Sequence, residues 1–140
     1  MKISRYATLA AIGTTLACAT PVFAQDAAKG ESDFRTCRSC HAITAPDGSA
    51  IVKGGKVGPN LYGVIGRKVG SLAGFRYKDG LKSLGDQGLV WTKAELEAYI
   101  TDPTGWLREK TGDSSARSGM TYKAKSGQAD IAAYLESVAK

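Results

Sequence analysis

The chain has 140 residues, 43% of them apolar and 23% charged, which is one domain of ordinary globular composition. That balance excludes a disordered chain and a protein of many membrane spans. Nineteen Lys and Arg against thirteen Asp and Glu give a net charge of +6, which points to an anionic partner without naming one.

Residues 1–24 read as a secretory signal peptide. Lys2 and Arg5 form a short positive region, Ala7 to Ala19 an apolar run, and Val22-Phe23-Ala24 a small-x-small cleavage pattern after Pro21. The run is too short to span a bilayer comfortably, so cleavage is expected rather than a permanent membrane anchor. Cys18 lies inside it, but Leu16 and Ala17 suit a lipid-attachment signal poorly. Removing these 24 residues from 140 leaves a domain of 116, residues 25–140. Lys2 and Arg5 leave with the leader, which takes the charge from +6 to +4.

Gly30, Phe34, Cys37 and His41 recur at three- and four-residue spacing, predicting a first helix from about Asp26 to Cys40. Ala42 to Pro59 is irregular, punctuated by Pro46-Asp47-Gly48 and Gly54-Gly55. Short helical turns are expected near Asn60 to Gly66 and Lys78 to Leu84. Thr92-Lys93-Ala94-Glu95 is a capping box opening a helix that buries Leu96, Tyr99 and Ile100. Asp102-Pro103 ends it and starts a short helix with Trp106 and Leu107 turned inward. Lys110 to Lys125 is polar and irregular. Ile131, Tyr134, Leu135 and Val138 then mark a C-terminal amphipathic helix. No alternating run predicts a strand. The expected fold is an all-α, loop-rich single domain, and the seventeen glycines agree with many tight turns.

The chemistry lies in Cys37-Arg38-Ser39-Cys40-His41, a C-x-x-C-H segment of the kind that attaches c-type haem. Two thiols about one turn apart can add to the two vinyl groups of one porphyrin, and the next residue's imidazole then lies beneath the iron. Other readings fit less well. A disulfide closing so small a loop constrains little. A thioredoxin-like pair would follow a strand, and none precedes Cys37. A zinc site wants four N or S ligands, and residues 25–140 offer three. A second axial ligand would make the protein an electron carrier, whereas an open position would suit an enzyme or sensor. With no second His and no spare Cys, Met120 is the candidate. A lone Met usually fills a core, but Arg117-Ser118-Gly119-Met120-Thr121-Tyr122 is a polar loop rather than an apolar helical face.

From Gly30 to Val138 the chain resembles the class I cytochromes c. The resemblance is carried by Gly30-x-x-x-Phe34-x-x-Cys37-x-x-Cys40-His41, Gly58-Pro59-Asn60-Leu61-Tyr62-Gly63, Gly63-Val64-Ile65-Gly66-Arg67, Gly74-Phe75-Arg76-Tyr77, Trp91, Tyr99-Ile100-Thr101-Asp102-Pro103 and Met120, in the family's order. It is most similar to the large soluble cytochrome c-two type of purple bacteria, which carry extra residues where this chain has Ala45 to Val52 and Glu109 to Ser118. The resemblance implies four to five helices around one haem c, attached through Cys37 and Cys40, with His41 and Met120 on the iron. It further implies that the Pro59 carbonyl accepts from His41 Nδ1, and that Arg67, Tyr77 and Trp91 donate to the haem propionates. Tyr99 would hydrogen-bond the Met120 sulfur, and Gly30 would let the first helix cross Tyr134 of the last. Gly119, where many relatives have Lys, and Tyr122, often Phe, depart from the pattern.

The function so implied is that of a soluble periplasmic electron shuttle and not an enzyme. Its expected donor is a quinol-oxidising cytochrome bc complex. Expected acceptors are a photosynthetic reaction centre, a terminal oxidase or a denitrification reductase. Lys53, Lys56, Lys68, Lys78, Lys110, Arg117, Lys123 and Lys125 flank the segments expected around the haem and would steer it onto acidic surfaces. A monomer is expected, and nucleic acid is not an expected partner. The alternative is a small haem enzyme or gas-binding sensor with an open sixth position.

Overall fold

The computed structural model describes residues 25–139; the signal-peptide reading falls on residues 1–24, outside them. Helix α1 (Ala27–Asp33) starts at Asp26, whose carboxylate accepts from the Ala28 and Lys29 N–H groups. Helix α5 (Gln128–Ser137) packs across it and buries Ile131, Ala132, Tyr134 and Leu135. Gly30 is the crossing point, because a Cβ there would overlap the Asp130 carbonyl and press on Tyr134 Cβ. Asp130 also accepts the Asp26 N–H at 2.9 Å and pairs with Lys29 at 3.0 Å.

The α-helix does not continue to Cys40. After Asp33 the chain tightens into a 3-10 helix, Phe34–Ser39, capped by Cys40. A 3-10 helix turns in three residues, so side chains at i and i+3 eclipse. Apolar spacing of three and four cannot separate this geometry from an α-helix. Phe34 lies at the fold's centre, 1% exposed, with its ring centroid 5.7 Å from that of Tyr134.

Two short strands also depart from the all-helical expectation. Strands β1 (Ile43–Thr44) and β2 (Ala50–Val52) pair antiparallel, Ile43 opposite Val52 and Thr44 opposite Ala50, with a bulge between. Asp47 closes their turn by accepting from the Ser49 N–H and hydroxyl. Strands of two and three residues are too short to leave a period in the sequence. Residues 60–66, expected as a helical turn, form hydrogen-bonded turns and no helix.

Helix α2 (Asp79–Asp86) turns Leu81 and Leu84 inward. Helix α3 (Lys93–Thr101) begins at Thr92, whose hydroxyl accepts the Glu95 N–H at 3.1 Å. The other half of the capping box is missing, because Glu95 instead accepts from Trp106 Nε1 at 2.7 Å and Lys110 Nζ at 2.6 Å. Helix α4 (Pro103–Thr111) follows with Asp102 as its cap and Pro103 in its first turn. The described residues thus form five α-helices, one 3-10 helix, one small hairpin and long loops, in keeping with the helical, loop-rich architecture that the resemblance implies.

Candidate haem site

Cys37 and Cys40 lie three apart on the tightened turn. Cys37 is half-buried against the core and Cys40 is exposed, both as free thiols. Burial, aided by the neighbouring Cys40, pushes the Cys37 thiol above its ordinary value. No three or more His, Cys, Asp or Glu side chains converge on a common point among the described residues, so the motif is not a closed zinc cage.

His41 is held from two sides. Its Nδ1 lies 2.8 Å from the Pro59 carbonyl oxygen. A carbonyl only accepts, so Nδ1 carries the proton and Nε2 the lone pair. Burial lowers the imidazole's pKa and the Pro59 bond opposes it, leaving a net downward shift. The ring is therefore neutral at pH 7, the form that ligates metal. On the other side Gly58 runs so close that a Cβ would overlap ring atoms Cε1, Nδ1 and Nε2. The Gly58 N–H donates to the Cys40 carbonyl at 2.8 Å, and Gly55 N–H to that of Arg38 at 2.9 Å. Asn60 completes the loop, accepting from Thr44 N at 3.0 Å and donating to Thr44 O at 2.7 Å.

The expected propionate partners gather in one region. Trp91 N–H donates to the Arg67 carbonyl at 2.9 Å and Gly66 N–H to that of Trp91 at 2.7 Å, setting the two segments side by side. The Arg67 guanidinium donates to the Asn60 and Tyr62 carbonyls at 3.1 and 3.3 Å, with further N–H groups to spare. Burial raises the Tyr77 pKa while the Arg67 charge opposes it, so the two share an electrostatic neighbourhood. Trp91, Tyr99 and Trp106 form a cluster with ring centroids 5.0 to 5.2 Å apart.

Met120 is half-buried and packs on this core. Tyr99 differs from expectation: its hydroxyl lies 2.8 Å from Ser118 Oγ rather than bonding the Met120 sulfur. A thioether is a weak acceptor, and a hydroxyl within reach is the better partner. Ser118 and the clamping role of Gly58 were not read from the sequence. Gly58 and Asn60 had a signal in their place beside Pro59, but Ser118 had none.

No family model matches the chain. Cytochrome c-550 of Paracoccus versutus is 55% identical to it over 139 residues, 96% of this chain and 88% of that protein. Cytochrome c2 of Rhodobacter capsulatus is 50% identical over 140 residues, 100% of each. The chain belongs to the cytochrome c2 family. The solved structure of the R. capsulatus cytochrome c2 superposes with a TM-score of 0.81 at 51% identity, covering 82% of this chain and 99% of that one. Ferric cytochrome c-550 of P. versutus matches with a TM-score of 0.81 at 51% identity, covering 84% and 100%. As a class I cytochrome of this family the protein carries one covalent haem c and transfers electrons. Among the described residues no helix is long and apolar enough to cross a membrane.

Proposed function

We propose that this cytochrome is a periplasmic single-electron shuttle with no catalytic turnover of its own. It would be exported by a leader cleaved after Ala24 and act as a monomeric domain of residues 25–140. The observation that carries the reading is the His41–Pro59 contact, which presents a neutral imidazole with a fixed tautomer directly after the two thiols. Cys37 and Cys40 would hold the haem covalently through thioethers, and His41 and Met120 would hold its iron. The haem iron supplies reversible one-electron exchange between its ferrous and ferric states.

The protein's own residues do the rest. Pro59 and Gly58 orient His41, and Arg67, Tyr77 and Trp91 would donate to the propionates. The basic residues steer association, but not all eight act alike. Lys68, Lys110 and Lys123 are tied to Asp86, Glu95 and Asp102. Lys53, Lys56, Lys78 and Lys125 make no ion pair among the described residues and keep their charge for an acidic partner, whereas Arg117 folds back onto the Ser114, Ser115 and Ala116 carbonyls and acts on Asp113. A cytochrome bc complex as donor, and a reaction centre, terminal oxidase or denitrification reductase as acceptor, fit that surface. Encounters would be fast, weak and screened by salt.

One optical measurement tests the reading. The oxidised protein should be low-spin, with the red-region band of iron–methionine sulfur ligation, and Met120→Ala should abolish that band. A wild-type spectrum that is high-spin, with immediate binding of carbon monoxide, would instead identify a haem enzyme or gas sensor.

A further inference from the structure

A cavity of about 330 Å³ opens where α1, the 3-10 helix, β2 and α5 meet. Neither thiol, neither proposed iron ligand and none of the expected propionate partners lines it. The buried Phe34 and Tyr134 and the half-buried Val52 make its apolar lining. The exposed Glu31, Arg35 and Arg38 stand around them. Tyr134 is 5% exposed, yet its hydroxyl makes no hydrogen bond among the described residues. A phenol so deep usually has a partner, because leaving it unpaired costs free energy. No fully buried side-chain polar atom among the described residues lacks one, so this oxygen is reached from the cavity.

Arg35 and Arg38 are three residues apart on the 3-10 helix, where side chains at i and i+3 eclipse. The tightened turn therefore brings both guanidinium groups to the same cavity. Arg38 Nε is anchored on the Lys53 carbonyl at 3.2 Å, and Arg35 Nε on the Ser32 carbonyl at 3.1 Å. The Arg38 Nη1 and Nη2 groups have no acceptor among the described residues, which leaves a planar fork of the shape that takes a carboxylate. The charges of Glu31 and Arg38 both act on the Tyr134 phenol, so the three stand close together. Burial and the Glu31 charge outweigh Arg38 and raise the phenol's pKa, so it keeps a proton to donate at neutral pH.

We propose that this cavity binds a small organic acid, a single carboxylate carried on a flat apolar body. The carboxylate takes the Arg38 fork and the Tyr134 proton, while the body covers Phe34 and Val52. Two guanidinium groups against the one carboxylate of Glu31 leave the lining with a charge of +1, which matches a monoanion, and Glu31 repels a second negative charge. An apolar cavity of about 150 Å³ already holds benzene, so this one has room for benzoate. Arginines that were merely solvated would not account for a phenol held in the core without a partner. The site is independent of how the iron is ligated.

The test titrates benzoate into the haem-loaded ferrous protein and follows backbone amide resonances. Shifts centred on Glu31, Arg35, Arg38 and Tyr134 should saturate with a Kd of about 5 mM or tighter. Arg38→Gln should weaken binding by about ten-fold, the worth of one charge-assisted bond, and Arg35→Gln by less. Tyr134→Phe should weaken it by about five-fold without lowering the melting temperature of the free protein, because no bond within the fold is lost. Benzamide, which has the body without the charge, and inorganic phosphate, which has charge without the body, should each bind at least about ten-fold more weakly than benzoate. A weaker benzoate Kd overturns the proposal, as does either control binding equally well. So does unchanged affinity in both Arg38→Gln and Tyr134→Phe.

Discussion

At Gly58 the backbone passes so close to the His41 imidazole that a single methyl group would displace the ring from Pro59. Gly58→Ala is therefore expected to break the Nδ1–carbonyl bond and destabilise the fold by about 2 kcal/mol or more, read from denaturant midpoints of the haem-loaded protein. The low-spin fraction should fall with it. Cys37, Cys40 and His41 stand out in the sequence because porphyrin attachment would demand neighbours, and Met120 because it is the sole methionine of residues 25–140 and sits in a polar loop. Ser118 does not, because its partners Tyr99 and Thr104 lie 19 and 14 residues away and only folding brings them to it. The Tyr99 expectation failed for the same reason. The aromatic was correctly placed near the methionine's loop, but the competing hydroxyl was invisible in the sequence.

Helices α3 and α4 are joined by a carboxylate that local sequence assigns elsewhere. Glu95 has the spacing to cap its own helix, yet the Trp106 indole and Lys110 ammonium offer it a charge-assisted tertiary site. Lys110 also stands 5.9 Å over the Trp106 ring. Burial works to raise the Glu95 pKa, but the bonds from Lys110 and Trp106 and the Lys110 charge outweigh it, and the net shift is downward. A lowered folded-state pKa contributes stability above the unfolded value, ordinarily about 4.3, which is lost as pH falls through the folded value. Glu95→Gln should cost roughly 1 kcal/mol at pH 7, and the gap from wild type should narrow below about pH 4. Parallel thermal melts at both pH values measure it, and a constant gap would contradict the assignment. Helices of eight or more residues with an apolar stripe were legible at this scale. The 3-10 turn and the hairpin were not, since both depend on partners beyond their own span.

Over the whole molecule, Cys37, Leu61, Tyr62, Ile65, Tyr77, Leu89 and Met120 only partly bury themselves against the core. The haem of a class I cytochrome completes such a core, so the protein prepared without it is expected to be largely unfolded by circular dichroism. A cooperatively melting apoprotein would contradict this. The architecture was legible in outline, because helix caps and apolar stripes are local, whereas the loops take their shape from hydrogen bonds across long separations.

The crossing of α1 and α5 sets an order of events. Asp26 and Asp130, which hydrogen-bond directly, are 104 residues apart, and Gly30 fits only against a turn of the last helix. As a chain emerges from its N-terminal end, α1 has no partner until α5 has appeared, and closing so wide a loop comes late. Docking of the final helix against Gly30 is therefore among the last steps of folding, and the Asp26 cap that closes on Asp130 waits for it.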